Sequence, residues 1–227
     1  IQSVSTQCHP NNGEKQEELP YSFEIQPFDD GLLAYWAHYG IYEETLRRFR
    51  VRSLRSYASQ TREGKPFEVK ATPTEPIFAY IGNGYIKVYR PNSSKMRFLY
   101  GGRLPSPYCF GMEQIPSKGD MLFITGGEKD VLSLSAHHFH AICFNSETAQ
   151  IPENIIESLQ LRFRHIILLY DTDETGVRES DKQASLLEPY KVQQLQLPLK
   201  GTKTEKDISD YFALGNEEED FRKLLDK

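Results

Sequence analysis

Two aspartates two residues apart, Asp171 and Asp173, close the apolar run 165–170 and are followed by Gly176. Such a run reads as a strand buried on both faces, and the glycine lets the chain turn into a helix. In an open α/β sheet, ligands gather beyond the carboxyl ends of the strands. Neighbouring carboxylates there repel one another and lose solvation unless a cation holds them. Carboxylate oxygens are the donors that Mg²⁺ or Mn²⁺ prefers, commonly together with substrate phosphates. The residues therefore predict metal-assisted phosphate chemistry.

Two further acidic groups follow predicted strands. Gly126-Gly127-Glu128-Lys129-Asp130 follows 122–125, and Glu205-Lys206-Asp207 with Asp210 follows 192–197. Parallel strands would bring all three ends to one sheet edge, where carboxylates can share one or two cations. A simple turn with helix-capping aspartates also has an Asp-x-Asp spacing. An EF-hand loop opening at Asp171 is disfavoured because its twelfth position is Lys182, not Glu.

The elements that must position these groups change character near residue 119. Beyond it, expected strands at 122–125, 141–144, 165–170 and 192–197 alternate with expected helices at 129–137, 152–163, 175–187 and 207–214. That alternation predicts an α/β fold with a parallel sheet flanked by helices. Before it, residues 1–28 read as a polar tail or linker, and 29–118 as a smaller basic α+β subdomain. Asp29 or Asp30 would cap a helix carrying Leu32, Leu33, Trp36 and Tyr39, ended by Gly40, with a second helix through Leu46 and Phe49. Residues 59–75 are expected to be a loop. A hairpin is expected at 77–81 and 85–89 around Gly82-Asn83-Gly84, with a further strand at 97–100.

The chain has 227 residues, enough for one large domain or two small ones, and its 38% hydrophobic and 12% aromatic content excludes a disordered protein. No apolar run approaches a membrane span and no signal segment opens the chain. It begins at Ile1, which reads as an excised fragment. Cys8, Cys109 and Cys143 are too scattered for a disulfide framework or a zinc site, so a reducing cytoplasm is expected. The net charge of -5 hides an asymmetry: residues 1–118 carry 15 Lys and Arg against 12 Asp and Glu, and 119–227 carry 12 against 20. Arg47, Arg48, Arg50, Arg52 and Arg55 form a basic run with aromatic neighbours, read either as a solvated face or as a groove for single-stranded nucleic acid. Arg103, after two glycines, is read as a phosphate contact or a hairpin end. His137, His138 and His140 are expected at an exposed helix end, and 145–148 as a loop that caps a helix or touches nucleotide, with capping favoured.

Taken together, these acidic groups resemble the Toprim domain of bacterial primases, topoisomerases and some nucleases. Asp171, Asp173 and Gly176 match its DxDxxG motif, Asp130 the aspartate closing its first motif, and Asp207 its downstream acidic position. Upstream, residues 35–41 with Arg47-Arg48-Phe49, the strand 85–89, Gly101-Gly102-Arg103 and Phe110-Gly111-Met112 resemble the catalytic core of DnaG-like and phage-type primases over about residues 29–215. The resemblance implies template-directed synthesis of short RNA primers on single-stranded DNA from ribonucleoside triphosphates, with Mg²⁺ or Mn²⁺ and a replicative helicase as a further partner. It implies that Asp171 and Asp173 hold the metal. Glu128 would handle a proton or a second metal, with Asp130 and Asp207 in support. Lys129 and Lys206 would pair with carboxylates or contact triphosphate, and Arg47, Arg48, Arg50 and Arg103 would contact nucleic acid. The chain departs from the family at Gly126, where a glutamate is usual. Glu128, two residues on in a continuing strand, would face the same space. Two other readings use the same residues: a Toprim-type nuclease, and a non-catalytic nucleic-acid-binding module.

Overall fold

The computed structural model describes residues 20–61 and 63–225; the part of the expected tail at 1–19 lies outside the described residues. The first half builds an antiparallel sheet. Its strands are β1 (Tyr21–Gln26), β2 (Val51–Gln60), β3 (Pro66–Lys70), β4 (Ile77–Gly82), β5 (Tyr85–Tyr89) and β6 (Phe98–Gly102), and helices α1 (Asp30–Ala37) and α2 (Glu43–Arg48) lie between β1 and β2. The order is β1-β2-β4-β5-β6, with β3 also paired to β2. The Asp29 carboxylate accepts the Leu32 N–H at 2.8 Å and so starts α1. Two expectations are corrected here. Residues 21–26 form a strand rather than a tail, and the expected loop at 59–75 contains the end of β2 and all of β3. Both strands lie at edges, where Pro66 and a polar-rich alternation are tolerated and weaken the sequence signal.

The second half is a mostly parallel five-stranded sheet. Its strands are β7 (Cys109–Phe110), β8 (Gly119–Thr125), β9 (Ala141–Phe144), β10 (Phe163–Leu169) and β11 (Gln193–Gln194), in the order β11-β10-β8-β9-β7, with only β7 antiparallel. Helices α3 (Glu128–Ala136), α4 (Glu153–Gln160) and α5 (Glu174–Leu186) connect the parallel strands, and α6 (Ile208–Ala213) and α7 (Glu218–Leu225) follow. The strand expected at 192–197 shrinks to β11, because after Gln194 the chain leaves the sheet and folds back over the end of β10. There the Thr172 N–H donates to the Lys206 carbonyl at 2.8 Å.

Alternating residues of the central strands enter two cores. Leu122, Ile124, Ile166 and Leu168 pack with Ile156 and Leu159 of α4 on one face of the sheet. Phe123, Ile167 and Leu169 belong to a second core with Val131 of α3 and Phe212 and Phe221 of the C-terminal helices. That second core continues into the antiparallel sheet through Trp36, Phe78, Tyr80 and Tyr89, so the two sheets share one apolar interior. Burial on both faces is why these strands read as unbroken apolar runs.

A buried ion pair crosses the seam between the sheets. Lys87 of β5 and Glu128 of α3 are 1% and 2% exposed, with Nζ 2.5 Å from Oε1. The ammonium also donates to the Asn145 carbonyl at 3.2 Å and to its side-chain oxygen at 3.1 Å, and Glu128 accepts the Tyr108 hydroxyl at 2.8 Å. Removing one partner of such a pair leaves an uncompensated buried charge. Lys87→Ala should therefore cost about 3–5 kcal/mol in urea unfolding, and Lys87→Met, Glu128→Leu should recover most of it. A loss below about 1 kcal/mol for the single variant would show that the pair does not hold the seam.

Candidate active site

The strand order creates the site. From β8 the chain crosses to β9 on one side, then returns past β8 to β10 on the other, so the carboxyl ends of β9, β8 and β10 lie side by side. A reversal of this kind opens a crevice at the strand ends. The acidic residues enter it from short turns. After β8, Gly126 and Gly127 lead directly into α3, with Gly127 in extended conformation as the N-cap. Glu128 is thus the first residue of a helix and not part of a continuing strand. Its carboxylate is held through Oε1 by Lys87 and Tyr108 at the wall of the cleft that Gly126 also lines, so the continuing strand is corrected to a helix start while Glu128 still reaches the cleft.

Asp130, in the same helical turn, is 5% exposed, and its Oδ1 has no hydrogen-bond partner among the described residues. Beyond β10, Asp171 enters the crevice and Asp173 caps α5, accepting the Gly176 N–H at 2.9 Å. A Cβ on Gly176 would lie 2.2 Å from the Asp171 carbonyl oxygen, so only glycine lets the first turn of α5 sit this close behind Asp171. Asp207 caps α6 in a capping box with Asp210, accepting the Asp210 N–H at 2.8 Å. Helix capping and clustering are therefore compatible roles here, performed by the same residues.

The structure brings together two overlapping groups of carboxylates. Asp130, Asp171 and Asp207 offer oxygens within 4.8 Å of one another, as do Glu147, Asp171 and Asp173. Asp171 belongs to both. Glu147, placed by sequence in a capping loop, is the residue that reading passed over: it leaves the end of β9, and its Oε1 accepts the Asp171 backbone N–H at 2.9 Å. Sequence shows only a loop glutamate there, and adjacency to β8 becomes visible only once the strand order is known.

Two lysines offset part of this charge. Lys206 bridges Asp171 and Asp173, lying 2.8 Å from Asp173 Oδ2. Lys129 lies 3.0 Å from Asp207 Oδ2 and 4.2 Å from the centre of the Tyr39 ring. Burial works to lower both ammonium pKa values. It is outweighed for Lys129 by Asp207, Asp130 and Asp210, and for Lys206 by Asp171 and Asp173, so both are raised. Burial and then Asp207 hold the Asp130 carboxyl well above its usual range. Burial also raises Asp171, partly offset by Lys206, whereas Lys129 keeps Asp207 low despite burial. Burial and the neighbouring Asp171 push Glu147 up to about 7.

The carboxylates open into a cleft of about 540 Å³ between the sheets, which Lys87, Arg97, Lys203, Phe98, Tyr100 and Tyr89 also line. Phe98 and Tyr100, two residues apart on β6, are 38% and 37% exposed. Lys129 and Lys206 reach the cleft as expected from sequence, but the expected arginines are not among its lining residues. Arg48 donates to the Gln114 carbonyl at 2.8 Å, Arg50 pairs with Glu113 at 3.2 Å, and Arg47 lines a separate groove with Gln26 and Glu43. Arg103 is exposed at the end of β6, where its N–H donates to the Gly84 carbonyl. Tyr39 packs against the core and also lines the cleft, while Trp36 and Phe49 are buried. His137 does end α3, as its C-cap, but is half-buried with its ring stacked on Phe212 at 3.6 Å, whereas His138 beside it is exposed.

The elevated Glu147 carboxyl has a stability signature. Its ordinary value of 4.5 rises to about 7 on folding, so the folded chain holds more protons than the unfolded chain across that window. Stability contributed through this group is present at low pH and lost as pH rises toward 7. Glu147→Gln cannot ionise, so in EDTA its Tm relative to wild type should increase by about 2–4 °C between pH 5 and pH 8. A pH-independent difference would contradict the assignment.

Residues 123–212 match the family model described as Toprim-like. No curated protein matches the chain. Among solved structures, the primase fragment of the bacteriophage T7 primase-helicase protein is 18% identical, with TM-score 0.57 over 96% of this chain and 83% of that one. A DNA primase domain from Pseudomonas aeruginosa is 17% identical, with TM-score 0.65 over 88% and 72%. The DnaG primase catalytic domain bound to single-stranded DNA is 15% identical, with TM-score 0.64 over 88% and 74%. Residues 123–212 are thus a Toprim-like domain, set within the fold shared with primase catalytic cores.

Proposed function

We propose that this chain is the catalytic core of a DNA primase, a metal-dependent nucleotidyltransferase that makes short RNA primers on single-stranded DNA. The observation that carries the reading is the pair of carboxylate groups sharing Asp171 at the crevice beside β8, in a cleft whose other wall holds cationic and aromatic side chains. A donor set made only of carboxylates, with one buried Asp130 oxygen left without a partner among the described residues, suits a hard divalent cation. Asp171 and Asp173 are the proposed principal ligands for Mg²⁺ or Mn²⁺, with Asp130 and Asp207 in support. Bound there, the ion would lower the pKa of a primer 3′-hydroxyl and stabilise charge developing on the α-phosphate.

The chain's own residues would bind and orient the reactants around that point. Arg97 and Lys203, which line the cleft, carry the charge to meet triphosphate or template phosphates. Phe98 and Tyr100 offer exposed ring faces on which bases can stack. Lys206 and Lys129 hold the carboxylates at fixed spacing and offset their repulsion. Glu128 is proposed as a positioning residue, since its carboxylate is held by Lys87 and Tyr108 inside the seam. Arg47, Arg48, Arg50 and Arg103, outside the cleft, are proposed as contacts for nucleic acid arriving from further away. The division proposed is a basic subdomain at 29–118 and a Toprim domain at 119–227. The T7 relative belongs to a primase-helicase protein, which supports a replicative helicase as partner. No helix of the described residues is long and apolar enough to cross a membrane, and the proposed setting is the cytoplasm, where replication takes place.

The test supplies labelled single-stranded DNA, four ribonucleotides and Mn²⁺, and sizes the products on a denaturing gel. Short RNA should appear, and Asp171→Ala, Asp173→Ala should reduce it roughly 100-fold or more. Shortened DNA that needs no nucleotides and disappears in the same variant would place the chain among nucleases instead.

A further inference from the structure

Gly126 follows β8 with no side chain, and the space in front of it is filled from the loop after β9. A Cβ built on Gly126 would lie 2.6 Å from Glu147 Oε1 and 2.7 Å from Glu147 Cγ. These distances are far inside van der Waals contact, so the Glu147 side chain runs through the volume where any side chain at 126 would begin. Glu147 leaves β9 on one side of β8, and it reaches Asp171 beyond β10 on the other. The bare backbone of Gly126 is what leaves that path open.

The far end of the path is the acidic crevice. The Glu147 carboxylate lies with those of Asp171 and Asp173, all within 4.8 Å, and Asp171 is shared with Asp130 and Asp207. A separate observation points to a ligand at that junction: the Asp130 carboxylate is 5% exposed and its Oδ1 has no partner among the described residues. A buried carboxylate oxygen without a donor is costly unless something cationic meets it. Glu128, the acidic residue nearest to Gly126 in sequence, is engaged through Oε1 by Lys87 and Tyr108 and does not join either group of carboxylates that meet within 4.8 Å.

We propose that Glu147 is a divalent-cation ligand of this site, delivered across the end of β8 through the opening left by Gly126. Position 126 and position 147 are then two routes to one carboxylate position, and a side chain can occupy it from only one of them at a time. The identity of the reaction rests on the primase reading, but the metal-binding claim does not.

The experiment compares wild type, Glu147→Gln, Glu147→Ala, Gly126→Glu, and Gly126→Glu, Glu147→Ala. Free Mn²⁺ is read by electron paramagnetic resonance, melting temperature by calorimetry, and primer synthesis on the gel described above. Glu147→Gln should weaken Mn²⁺ binding by about 10-fold or more. Gly126→Glu alone should lower the melting temperature because two side chains compete for one space. The double variant should bind Mn²⁺ about 10-fold more tightly than Glu147→Ala, since a carboxylate has been returned to the site from β8. Unchanged Mn²⁺ affinity in Glu147→Gln, or a double variant no better than Glu147→Ala, would overturn the proposal. If wild type binds Mn²⁺ through Glu147 but makes no primers, the primase reading fails and this inference stands. If wild type makes primers and Glu147→Gln binds Mn²⁺ as well as wild type, the reverse holds.

Discussion

The ammonium of Lys87 carries three protons, and inside the seam between the sheets it meets three acceptors: Glu128 Oε1, the Asn145 carbonyl and the Asn145 side-chain oxygen. A charge 1% exposed would be prohibitively costly if any of these were missing. Each partner belongs to a segment that shapes the site. Glu128 opens α3, which carries Lys129 and Asp130 into the crevice. Asn145 follows β9, two residues before Glu147. One side chain from the antiparallel sheet thus fixes two of the turns that deliver carboxylates from the parallel one. Phe98 adds its ring face 4.7 Å from the same ammonium, which ties the aromatic wall of the cleft to the same point.

Around that anchor, the crevice balances repulsion against order. Glu147, Asp130, Asp171, Asp173 and Asp207 converge where, among the described residues, only Lys129 and Lys206 pair with members of the cluster. Local backbone work offsets some of the cost, since Asp173 and Asp207 also cap helices and Glu147 accepts a backbone N–H. The groups do not share the burden evenly. Lys129 keeps Asp207 ionised, while burial favours the protonated forms of Asp130 and Glu147. Carboxylates converging in this way, on turns preset by rigid elements, form a donor set that could hold a metal ion.

Much of this was legible in the sequence because burial writes itself into composition. The strands β8, β9 and β10 are buried on both faces and appear as apolar runs, and the capping aspartates mark where α5 and α6 begin. The edge strands β1 and β3 escaped because one-sided polar alternation around prolines looks like a loop. Glu128 opens a helix and does not continue a strand because the two preceding glycines form the turn into α3, a distinction that a Gly-Gly pair does not announce in sequence. Glu147 escaped because its importance lies in strand order, which periodicity does not encode. The four arginines expected to contact nucleic acid follow the same logic, since a basic run shows charge but not the direction in which it points.

The account stands on a divalent ion seated between Asp171 and its neighbouring carboxylates. Crystals soaked in Mn²⁺ and measured for anomalous scattering test it directly. The predicted result is a peak in the crevice beside the end of β8, about 2.0–2.5 Å from an oxygen of Asp171 and of at least one of Glu147, Asp130, Asp173 or Asp207. Ordered carboxylates with no peak among them at saturating Mn²⁺, or a peak held only by residues outside the cleft, would contradict it.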